Sequence, residues 1–116
     1  MAETLSEKRC RFTHAAALLV HEAERLGYKC AFDQVKRTQA EANANAASGA
    51  GISTSLHLDG LAVDLLLYKD GRYITDSEGH AQLGAWWKSI AADHAWGGDF
   101  AKRDFNHYSI SHMGRK

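Results

Sequence analysis

Between Leu5 and Leu26 the apolar positions Phe12, Ala15, Ala16, Leu19, Ala23 and Leu26 recur at the spacing that lines one face of an α-helix. Thr4 and Glu7 have the form of a capping box ahead of it, and Gly27 supplies a stop. Tyr28 to Phe32 reads as a short strand, and Thr38 to Ala47 as an alanine-rich helical stretch that gives out at Ser48-Gly49. The glycine- and serine-rich stretch Ser48 to Ser55 reads as a loop. Ala62 to Tyr68 and Arg72 to Thr75 flank Lys69-Asp70-Gly71, and Asp-Gly favours a hairpin turn with positive φ. From Ser77 or Glu78 to His94, Leu83, Trp86, Trp87, Ile90 and Ala91 form a second helical stripe, with Gly97-Gly98 beyond its end. A last strand is expected over Asn106 to Ser111, followed by a polar surface tail, His112 to Lys116. Helix, strand, helix, hairpin, helix and strand in that order predict an α+β domain built on an antiparallel sheet.

Composition narrows the function more than the fold. The 116 residues fit one domain, residues 1–116, so any catalysis and substrate binding are expected in one unit. Hydrophobic residues at 45% and charged residues at 24% suit a globular protein with a modest core. Lysine plus arginine and aspartate plus glutamate each number 14, so no excess positive charge is available to drive nucleic-acid binding. Cys10 and Cys30 form no disulfide-scaffold or zinc-knuckle pattern, and read as buried or half-buried thiols. The longest apolar run, Leu65 to Tyr68, falls far short of the roughly 20 residues that span a bilayer. The opening MAETLSEKRCRF contains no apolar signal core. A monomer without membrane contact, synthesised in the cytoplasm without a signal peptide, is therefore expected.

The chemistry gathers in two stretches. In Ser55-Leu56-His57-Leu58-Asp59-Gly60-Leu61-Ala62-Val63-Asp64, a histidine and a carboxylate stand just before and just inside a strand. On an uninterrupted strand these two would face opposite sides, so a shared metal requires an irregular segment, and Asp59-Gly60 is where it can bend. Spacing alone favours a loop histidine and an ordinary polar aspartate. In the second stretch, Trp96 to Tyr108, Asp104 precedes His107 by three residues. A carboxylate in the loop before a ligating histidine can stand near a metal without binding it, where a general base for water is needed. Two histidines and one carboxylate leave a fourth position open, the pattern of catalytic zinc; a structural site takes four protein ligands.

Ser55 to Asp64 matches S-x-H-x-x-G-x-A-x-D. That pattern resembles the signature of zinc metallopeptidases that include D-Ala-D-Ala carboxypeptidases, vancomycin-resistance dipeptidases and phage L-alanyl-D-glutamate endopeptidases. Trp96-Gly97-Gly98 and Asp104 to His107 resemble the family's second signature, in the same order. Aspartate at the base position, the small size and Arg37-Thr38 look like the phage endolysin branch. The resemblance spans about residues 28–114. It implies the hedgehog/D-Ala-D-Ala peptidase fold, with His57, Asp64 and His107 binding Zn2+ and Asp104 acting as general base. It further implies that Arg37 meets a substrate carboxylate or the developing oxyanion, and that Ser55 binds substrate. Read by themselves, Arg37 also suits a solvated helix start and Ser55 a local turn cap. Glu41 stands where the family commonly has glutamine.

The activity so implied is hydrolysis of the peptidoglycan stem peptide, either as an endolysin cutting L-Ala-D-Glu or as a carboxypeptidase or dipeptidase acting on D-Ala-D-Ala. A non-catalytic zinc-containing binding module is the third possibility, and the acidic Asp104 counts against it. Release to the wall through a membrane lesion made by a partner such as a holin is expected from the resemblance. The other histidines carry no such pattern. His14 and His21 share a helix face without a third ligand, and His80 and His112 are expected to be exposed. His94 is expected near a helix C-terminus, where the dipole favours a partly protonated imidazole. Trp86 and Trp87 continue an apolar stripe and read as core and pocket wall.

Overall fold

The computed structural model describes residues 2–34 and 56–116. Helix α1, Leu5–Arg25, starts at Thr4, whose hydroxyl accepts from the Glu7 N–H while the Glu7 carboxylate accepts from the Thr4 N–H. It ends at Leu26, and the chain turns away through Gly27 at φ +94°. Its buried stripe is Phe12, Ala15, Ala16, Leu19 and Ala23. Strand β1, Lys29–Gln34, pairs antiparallel with β2, Ala62–Lys69, across an irregularity between Phe32 and Gln34. Asp70 and Gly71, both at positive φ, reverse the chain into the short β3, Arg72–Tyr73, as the Asp-Gly pair predicts. The predicted helix over Thr38 to Ala47 lies outside the described residues.

Helix α2 covers Ser77–Ile90, capped by the Asp76 carboxylate on the Gly79 N–H. It ends four residues before the expected His94, because Ala91 is already extended and a turn closed by His94 N–H on Ala91 O starts a new strand. That strand, β4, His94–Trp96, is absent from the sequence-based expectation. All three of its residues are buried, so no alternation marked it. The final strand β5, His107–Ile110, lies between β2 and β4, giving the order β1-β2-β5-β4 with β3 on β2. The fold is thus the expected α+β type, an antiparallel sheet with two helices among the described residues.

Both helices cover one face of this sheet. Val63, Leu65, Leu67, Tyr108 and Ile110 point into a core shared with Phe12, Leu19, Leu83 and Trp87. Phe12 and Tyr108 each meet Trp87 edge-on, with ring centroids 6.0 Å away, and the Trp87 indole N–H donates to Ser109 O at 3.0 Å. His80, expected at the surface, is fully buried: with Leu83 and Trp87 it continues the α2 stripe one turn earlier, and its Nδ1 lies 2.7 Å from the Tyr108 hydroxyl. Burial lowers its pKa to about 4. His94 is likewise buried, hydrogen-bonded through Nδ1 to Trp87 O. Burial pushes its pKa down, which works against the partly protonated state expected at a helix end. His112 is half-buried beside Lys8, not exposed. Cys10 is exposed and Cys30 half-buried, so only Cys30 matches the expected burial. Among the described residues no helix is long and apolar enough to cross a membrane.

Candidate metal centre

Alternation along β2 and β5 puts Asp64 and His107 on the sheet face opposite the helices. They are cross-strand partners. Leu65 N–H donates to Asn106 O and Ile110 N–H to Leu61 O, so the Asp64 to His107 pair falls at a non-hydrogen-bonded position. Side chains lie closer at such positions than at hydrogen-bonded ones.

His57 reaches the same face from the turn before β2. The N–H groups of Asp59 and Leu61 both donate to Leu56 O, and the chain re-enters the sheet through Gly60 at φ +71°. This is the bend that the spacing of His57 and Asp64 requires, and glycine takes that φ without a Cβ clash. Leu56 and Leu61, both buried, anchor the two ends of the turn.

The result is a tight constellation. His57 Nε2 lies 3.4 Å and His107 Nδ1 3.6 Å from Asp64 Oδ1, and one ligand atom from each of the three residues falls within 4.8 Å of the others. A tetrahedral ion with bonds near 2.0–2.2 Å has ligand atoms roughly 3.4 Å apart, so this separation suits a metal. It is long for charge-assisted hydrogen bonds of about 2.7–2.9 Å. Asp64 Oδ1 and His107 Nε2 are buried with no hydrogen-bond partner, and a buried carboxylate oxygen in that state is costly unless a cation satisfies it. Burial raises the Asp64 pKa, but the neighbouring imidazoles of His107 and His57 outweigh it and hold the carboxyl well below the usual range. The carboxylate is therefore ionised as a ligand must be, and the His-Asp-His group could hold a metal ion.

Asp104 borders this group from the solvent side. Its Oδ2 is 4.0 Å from His107 Nδ1, and its side chain is 54% exposed. A turn closed by His107 N–H on Asp104 O at 3.0 Å fixes the two residues relative to each other. Asp104 N–H in turn donates to Gly97 O at 2.9 Å. Gly97 has no room for a side chain there: a Cβ would stand 2.0 Å from Asp104 O and 2.8 Å from His107 Cβ. The Gly97 of the tryptophan-glycine motif thus seats the turn carrying Asp104 and His107. The motifs single out His57, Asp64, Asp104 and His107, and the fold brings these four together; Arg37 and Ser55 lie outside the described residues. Sequence reading missed the buried His80 behind β5, although its place on the α2 stripe was the available signal.

No protein-family model and no curated protein sequence matches the chain. The fold is similar to the crystal structure of the L-Ala D-Glu endopeptidase ChiX from Serratia marcescens, with TM-score 0.66 and 21% identity over 80% of this chain and 75% of that one. The chain therefore has the α+β fold of an L-Ala D-Glu endopeptidase, with a potential metal-binding group on the face of its sheet opposite the helices.

Proposed function

We propose that the protein is a zinc-dependent peptidoglycan peptidase that cleaves the stem peptide, with the L-Ala-D-Glu bond as its target. The observation that carries this reading is the convergence of His57, Asp64 and His107 beside Asp104, in a chain with the fold of an L-Ala D-Glu endopeptidase. His57 and His107 would each give one imidazole nitrogen and Asp64 one carboxylate oxygen to the ion. Bound zinc supplies Lewis-acid polarisation and lowers the pKa of water from about 15.7 towards 7. Asp104 accepts the proton of the water whose oxygen attacks the scissile carbonyl carbon, and returns it to the amine as the C–N bond breaks. Its exposure leaves it open to substrate and solvent. Arg37 would meet a substrate carboxylate or the oxyanion, and Ser55 would bind substrate. Residues 1–116 would act as one catalytic domain and as a monomer, on peptidoglycan, after release aided by a holin-like partner.

Incubation of the zinc-loaded protein with purified muropeptides, followed by mass spectrometry, tests the proposal. Products split between L-Ala and D-Glu support it. Loss of the terminal D-Ala would make the protein a carboxypeptidase or dipeptidase. Stem peptides bound but left whole would make it a binding module.

A further inference from the structure

Trp96, the last residue of β4, holds the turn between Asp104 and His107 from the helix side. Its indole is 8% exposed, and its N–H donates to Phe105 O at 2.7 Å. Phe105 lies inside that turn, directly after Asp104. The ring is slotted between two glycines: a Cβ on Gly84 of α2 or on Gly98 would stand 2.3 Å from it. The ring therefore has little freedom to swing, and its N–H donates to the Phe105 carbonyl with the Tyr108 hydroxyl beside it. The next residue grips the same turn a second time, since Gly97 O accepts the Asp104 N–H.

We propose that the Trp96 indole N–H is a positioning group that fixes where the Asp104 carboxylate and the His107 imidazole stand relative to Asp64. Trp96 is not one of the three candidate ligands; it acts through the backbone of the turn. A buried indole N–H needs a partner, and many carbonyls would satisfy it. Here the acceptor at 2.7 Å belongs to the short segment joining Asp104 to His107, so loss of the bond frees that segment first. The same slot explains glycine at positions 84 and 98. This inference rests on the peptidase reading for its catalytic consequence, while its structural part stands apart from it.

The test is Trp96→Phe, which keeps a ring in the slot and removes the donor. In the metal-free protein, amide hydrogen exchange at Asp104 and His107 is expected to quicken about tenfold or more, with Ala95 on β4 unchanged. Zinc should bind about tenfold to a hundredfold more weakly, as when a group orienting a ligand is lost. The kcat should fall by a similar factor with KM unchanged, because the base moves and substrate contacts do not. Wild-type exchange at Asp104 and His107, or quickening equal throughout the sheet, overturns the proposal. Should the variant fail to fold, the wild-type protein decides. The Trp96 indole N–H and the Asp104 and His107 amides must then share one protection factor, and an indole exchanging independently overturns the proposal. If the turn loosens as expected but neither protein cleaves stem peptide, the positioning role stands and the peptidase reading falls.

Discussion

His57, Asp64 and His107 each offer one atom to a common point, so removing one leaves two donors and an uncompensated cavity. His57→Ala and His107→Ala should each lose zinc by orders of magnitude in affinity, as metal analysis after dialysis would show; full occupancy in either would remove that residue from the ligand set. Asp104→Asn should keep metal and fold, because the side chain is half exposed, yet lose about 10²–10⁴-fold in kcat. Asp99, the next carboxylate in this segment, is held by Lys88 at 2.6 Å, so Asp99→Asn should turn over close to wild type. At this scale the sequence was legible where a motif fixed both residue type and spacing. It was illegible for His80: histidine is ambivalent between core and surface, and only the packing of α2 on Tyr108 decides.

Elements whose ends are marked by special backbone chemistry were read closely. The Thr4 capping box, Gly27 and the Asp70-Gly71 turn all sit where the chain predicts them, because each depends on a few adjacent residues. The end of α2 and the three-residue β4 were not. Trp87, Ile90 and Ala91 continue a helical period right up to the point where pairing with β5 takes over, and tertiary hydrogen bonds overrode the local pattern. Two glycines test this level. Gly60→Ala should cost about 1–2 kcal/mol in urea denaturation, from its positive φ alone, since the nearest atoms, on the Arg9 side chain, lie at ordinary contact distance. Gly97→Ala should cost about 1–3 kcal/mol for overpacking and also weaken zinc binding, because its Cβ meets the backbone of Asp104. Equal zinc affinity in Gly97→Ala and wild type would show that the turn carrying Asp104 and His107 needs no such seat.

For the molecule as a whole, His80 ties stability to pH. Its pKa is about 4 in the fold against 6.5 for an ordinary histidine, so the unfolded chain binds the extra proton first. The stabilisation is complete above the unfolded value and is lost as pH falls from 6.5 through about 4, by up to roughly 3 kcal/mol. His94, also lowered by burial, adds in the same direction. Denaturation midpoints should fall across that window, and His80→Gln should flatten the decline; a midpoint independent of pH there would contradict the neutral buried state. Zinc at about a hundred times its Kd should add roughly 2.7 kcal/mol, so chelation should lower Tm by several degrees. The overall α+β class was readable because alternating strands and amphipathic helices each declare which side is apolar, whereas strand order was not, since the placement of β5 between β2 and β4 rests on contacts remote in sequence. That same placement gives the cross-strand pair of Asp64 and His107 a kinetic meaning. The two residues belong to the centre of the sheet yet come from distant parts of the chain, so joining them closes a long loop, the slowest kind of contact to form. An ion bridging them would act as a clasp on that loop, binding only after the central strands have met and then slowing their separation.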